Sequence, residues 1–207
     1  MPDRNDLFFI TALLLCALTF NISLYLGAKV VTPAGPCLAM ANTAKAIWDH
    51  GTLASQHAHD VFEAAKALSQ STQSDVWQDV FAQDVHGALV PKHSILSSVI
   101  AAPFYGLFGE LGFWVCQQFF FLVLAYCFYQ CVKTLAGAAV PVTSLLALCV
   151  LSPALTASYS FGHDLHGLTF MMAGLYLSRT HPFLGAIVLG CTVPVRPSYI
   201  LIIGPLL

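Results

Sequence analysis

From Leu7 to Ala28 the chain reads LFFITALLLCALTFNISLYLGA, 22 residues without a charged side chain between Asp6 and Lys29. As a helix this run is about 33 Å long, enough to cross a hydrocarbon core of about 30 Å. A cleaved leader has a basic start and an apolar stretch of about 7–15 residues. MPDRND instead carries one arginine against two aspartates, so an uncleaved first span is expected. Hydrophobic residues make up 57% of the 207 and charged ones 9%. So few charges could not cover a soluble globule of this length. Lipid is the expected solvent for much of the chain.

Residues 29–91 break the pattern. They hold six of the ten acids (Asp49, Asp60, Glu63, Asp75, Asp79 and Asp84) and no run long enough to span. This reads as a large loop outside the bilayer. CLAMANTAKAIWDHG places Leu38, Ala41, Ala44, Ile47 and Trp48 at helical spacing before Gly51, and HDVFEAAKALS does the same with Val61, Phe62, Ala65 and Leu68. Both are expected to be amphipathic helices on a membrane surface; two helices packed on each other is the plainer alternative.

Apolar sequence then resumes. Lys92 and Glu110 bound 17 uncharged residues around Pro103, marginal for a span, whereas Glu110 and Lys133 bound 22. AGAAVPVTSLLALCVLSPALTASYS, HGLTFMMAGLYLSR and PFLGAIVLGCTVPVRPSYILIIGPLL follow. The expected fold is all-α: a polytopic transmembrane bundle with a large external loop carrying juxtamembrane helices. Its parts are a cytoplasmic N-terminus and first span (1–28), the external loop with surface or re-entrant helices (29–111), and a transmembrane bundle (112–207) that ends inside an apolar run, as a truncated chain would. If 94–109 does not cross, Arg4, Lys133 and Arg179 all lie on the cytoplasmic side, as the positive-inside rule prefers. The 29–93 and 158–166 loops then share the opposite face. A multi-pass protein of the cell membrane is the expected setting.

The net charge of −2 says nothing about nucleic acid, but no basic run appears anywhere, and nucleic acid is not expected as a partner. Six of the seven cysteines lie in apolar segments, only Cys37 being in a polar one. Buried thiols acting as small apolar groups, rather than a disulfide framework, fit that placement.

Several short motifs resemble the N-terminal part of the C-type membrane glycosyltransferases, closest to those that take mannose or aminoarabinose from polyprenyl-phosphate carriers. The residues carrying the likeness are Lys92, Pro103, Phe104, Tyr105, Phe108, Gly109, Asp164 and the late VPVRPSYILIIGPLL. The resemblance implies sugar transfer from a polyprenyl-phosphate donor on the non-cytoplasmic side. In one respect the chain departs from it. Such enzymes carry an acidic base soon after the first span, where this chain has Pro33–Ala34–Gly35–Pro36 and no acid before Asp49. The rival readings are a non-catalytic or truncated membrane relative and a transporter.

Transfer of this kind needs a carboxylate to take the acceptor proton and cations to meet the departing phosphate. Asp164, in SYSFGHDLHG, is the expected catalytic acid–base; capping the helix that follows is its other role. His163 and His166 flank it as substrate-binding candidates, and a divalent metal is a conceivable cofactor there, although their spacing chelates poorly. Lys92 and His93 could meet a lipid phosphate, or Lys92 could simply anchor at the interface. His57, His59 and Asp60 resemble a metal-ligand cluster, but surface His pairs without a second cluster are usually solvated. Arg196 lies between apolar stretches and is flanked by Pro194 and Pro197, as in a broken helix lining a cavity, or merely in a loop.

Overall fold

A computed structural model describes residues 4–27, 36–53, 81–83, 89–91, 95–136, 144, 161–196 and 201. The described chain is helical apart from one short antiparallel hairpin. Helix α1 spans Arg4–Gly27 and α2 spans Pro36–His50. Strands β1 (Phe81–Gln83) and β2 (Leu89–Pro91) pair with Ala82 opposite Val90. Helices α3 (Ile95–Phe108), α4 (Leu111–Ala136), α5 (His163–Ser178), α6 (Pro182–Gly190) and α7 (Thr192–Val195) follow. Two strands of three residues each leave the described chain helical in the main, as the all-α expectation has it.

Among the described residues one helix, over Leu111–Leu135, is long and apolar enough to cross a membrane. Ile10–Thr19, Ile95–Phe108 and Pro182–Val195 are shorter apolar helical stretches.

Helix direction decides what meets what. Cys116 faces His166, Thr169 reaches Phe120, and Tyr126 stacks edge-on against Tyr176, so α4 and α5 are parallel. Lys133, in the last turn of α4, and Arg179, just past α5, therefore mark the same end of the bundle. Helices α2 and α3 are parallel too, Ser98 donating to the Met40 carbonyl and Gly106 lying against the Trp48 ring. The α3–α4 corner turns on Gly109, whose φ of 60° is left-handed and whose N–H closes on the Tyr105 carbonyl at 2.7 Å. Helices α5 and α6 form an antiparallel hairpin, Gly174 against Leu189 and Gly185 against Ser178.

The core joins Ala17, Met40, Ala44, Ala101, Phe113, Phe121, Leu124, Phe161 and Leu165. Ala39 to Ala44 are all buried in succession. Over this stretch small Ala, Asn and Thr side chains let neighbours close round α2, while Trp48, Asp49 and His50 at its C-terminal end are exposed. The second expected helix, Asp60–Leu68, lies outside the described residues.

Around that apolar core, polar side chains are enclosed while large apolar ones stand outside. Asn21, Thr43, Ser97, Ser98, Gln117, His166 and Thr192 are buried, while Leu26, Leu107, Phe119, Leu135, Phe183 and Ile187 are exposed. Helix α3 shows it most plainly. Ser97, Ser98, Ala101 and Ala102 face inward, and Ile95, Val99, Pro103 and Leu107 stand outward at four-residue spacing.

Candidate functional site

The site forms where the first turn of α5 meets the residue that ends α7. Arg196 precedes Pro197, whose ring disfavours helical backbone in the residue before it. Its φ of −151° and ψ of 106° are extended, and they end α7. Pro194 costs that short helix no hydrogen bond because it sits in the first turn. The chain has by then come back along α5, so the Arg196 guanidinium donates to Asp164 Oδ1 and pairs with it in charge. Both side chains are about half exposed.

Asp164 does not cap its helix. Gly162 is the N-cap residue, extended and without a side chain, and Asp164 is one residue inside α5. The negative charge still suits the positive end of the helix dipole. His163 lies beside it, Nε2 to Oδ1 at 3.6 Å. Cys37, in the first turn of α2, is close enough to feel the same carboxylate. Its thiol pKa is raised chiefly by burial, further by the charge of Asp164, and a backbone hydrogen bond partly opposes both.

Beneath this surface the α4–α5 seam is polar. Gln117, fully buried, donates from Nε2 to the Gly162 carbonyl at 2.9 Å. Among the described residues its Oε1 has no hydrogen-bond partner. Thr169 donates to the carbonyls of Leu165 and Phe120, two turns of α4 being thus tied to the start of α5. His166 is completely enclosed, its ring 4.3 Å from Phe120 and 6.0 Å from Phe161, with Nε2 3.8 Å from Cys116 Sγ and Nδ1 unpartnered.

Three of the expected site residues thus come together: Asp164, Arg196 and His163. The fourth, His166, expected as a substrate contact, is a core residue instead: two residues on from Asp164 it lies on nearly the opposite side of α5, enclosed against Phe120 and Phe161. Lys92, His93 and the His57–Asp60 cluster lie outside the described residues. No group of three metal-ligating side chains occurs among the described residues. Away from the site, Lys45 pairs with Glu110 and leans over the Tyr105 ring, tying α2 to the α3–α4 corner.

No protein-family model, curated protein or solved structure matches the chain. The geometry has to speak for itself.

Sequence reading missed Cys37 and Gln117. For Gln117 a signal existed, since Gln117 and Gln118 are adjacent amides in the otherwise apolar run between Glu110 and Lys133. For Cys37 none did, because its relation to Asp164 crosses 127 positions of chain.

Proposed function

We propose that the chain is a membrane-embedded helical bundle, several of whose helices lie within the bilayer, and that it handles a polyprenyl-phosphate sugar on its non-cytoplasmic side as a C-type glycosyltransferase. Embedding is supported by the enclosed polar side chains and the large apolar ones outside. Each large apolar side chain left in water forgoes roughly 1.5–3 kcal/mol, and each buried unpaired polar group adds a cost of about 1–3 kcal/mol. In lipid the outward leucines and phenylalanines cost nothing, and inward polar groups become the means by which helices hold one another.

Spacing along α4 supports the same placement. Glu110 and Lys133 stand about 34 Å apart at 1.5 Å per residue, close to a hydrocarbon core with its edges. With Lys133 and Arg179 inside, the Asp164 end faces out. Gln117 lies about 10 Å along α4 from Glu110, and it holds the turn that carries Asp164. The ion pair is therefore recessed below the outer headgroups, a depth at which charged side chains mark function more often than decoration.

The single observation behind the chemistry is the meeting of Asp164 with Arg196 across 32 residues. A guanidinium can shift its fork from a carboxylate to a phosphate, leaving the carboxylate free to accept a proton from a hydroxyl. One observation favours a second reading. The two charges already neutralise each other, which would suit a strap in a non-catalytic relative, as would Pro33–Pro36 standing where an acid is expected.

Two experiments test the proposal. In sealed vesicles, single cysteines placed at the exposed Thr134 and Thr180 should label from one side and a cysteine at the exposed Glu110 from the other; common labelling, or release of the protein by alkaline carbonate, would refute the embedding. Separately, Arg196→Gln should weaken undecaprenyl-phosphate binding about tenfold or more, as loss of a charge-assisted hydrogen bond worth roughly 1.5–3 kcal/mol implies. Unchanged binding removes Arg196 as the phosphate contact.

A further inference from the structure

A buried amide in an apolar helix calls for an explanation. Gln117 is completely enclosed in α4, where leucine or methionine would fill similar volume without desolvating two polar atoms. Its neighbours on the same seam, Cys116 and Phe120, meet α5 at His166 and Thr169. Gln117 reaches the backbone that precedes the helix, at Gly162. Gly162 brings no side chain to cap α5, and neither Asp164 nor any other side chain caps it in its place. The first turn of α5 is thus held from outside, by α4.

We propose that Gln117 is the positioning residue of the site: its hydrogen bond to the Gly162 carbonyl fixes the first turn of α5, and so aims Asp164 at Arg196. The inference stands on this geometry and holds whichever substrate the site takes. Thr169, which ties α5 about two turns further on, keeps the helix in place without Gln117. Removing the amide should therefore release the first turn and leave the rest of α5 docked.

The Cys37 thiol pKa is raised by burial and then by the Asp164 charge, which disfavours the thiolate, so Cys37 alkylation should follow where that charge sits. In a protein whose other six cysteines are replaced by alanine, the pH profile of Cys37 alkylation is read at constant reagent. Asp164→Asn should move the profile to lower pH and speed alkylation at neutral pH severalfold. Gln117→Met, which keeps the length of the side chain but not the donor, should move it the same way. Thr169→Val should lower thermal stability and leave the profile where it was. A profile unmoved by Gln117→Met while Asp164→Asn shifts it would overturn the proposal, and so would one unmoved by Asp164→Asn. If Gln117→Met does not fold, Gln117→Asn, one methylene too short to reach Gly162, carries the same expectation. A bifunctional thiol reagent applied to cysteines at positions 164 and 196 gives a second measure. Cross-linking should fall severalfold on Gln117→Met, and an undiminished yield counts against the proposal.

Discussion

Asp164→Asn is expected to lower sugar transfer by about 10²–10⁴-fold, the usual loss when a general base is removed. Fold stability should hardly change. Asn keeps the shape of the side chain and one oxygen that still accepts from the Arg196 guanidinium, while losing charge and basicity. Because Gly162 rather than Asp164 is the N-cap residue, no capping bond is lost. What is lost is the charge half of the pair with Arg196, whose side chains are both about half exposed, and the interaction with the dipole of α5, each worth at most about 1 kcal/mol. Turnover and thermal unfolding measured on the same preparation separate the two readings of the ion pair. A variant that is stable and inactive supports a base. One that is stable and fully active makes the pair a strap, and the non-catalytic reading then stands. Arg196→Lys sharpens the comparison, since it keeps the charge and gives up the planar fork that suits phosphate.

The sequence displayed the apolar helices well, because hydrophobic runs and their charged boundaries are local. Helix α4 begins one residue after Glu110, the charge that bounds its run, and α5 begins at His163, beside the acid that raised the question of a cap. The end of α7 was legible too, in Pro197 directly after Arg196. Less legible was burial within a helix. In α2 the sequence shows apolar residues at helical spacing, but alanine, asparagine and threonine are small enough for any face to be covered, and spacing alone does not say which ones are. Partnership across the chain was not legible at all. Asp164 and Arg196 were each readable as a candidate from local context, and only the length and turn of the α5–α6 hairpin brings them face to face. His166 illustrates the converse, since a histidine two residues from an acid looks like part of its site until the helix turns it inward between Phe120 and Phe161.

That hairpin is the weak point of the site, and it is where the other large effect is expected. Gly185 lies so close to α5 that an added Cβ would stand 2.5 Å from the backbone nitrogen of Ser178, and Gly174 is similarly pressed against Leu189. Small residues at such crossings are how helices approach closely in lipid, where the hydrophobic effect no longer drives them together. Gly185→Leu leaves the new side chain no room except by forcing α6 away from α5. Overpacking of this kind costs typically 1–3 kcal/mol, and the unfolding midpoint in detergent should fall by roughly 5–10 °C. The displacement also matters at the far end. Helices α6 and α7 carry Arg196 back to Asp164, so moving α6 separates the pair, and polyprenyl-phosphate binding should weaken along with stability. Gly190→Ala is the control, since nothing lies within 4 Å of its added Cβ, and it should leave both measurements unchanged. Were Gly185→Leu to destabilise the protein while lipid binding persisted at full strength, the ion pair would not depend on the hairpin, and Arg196 would have to be held by residues beyond α7.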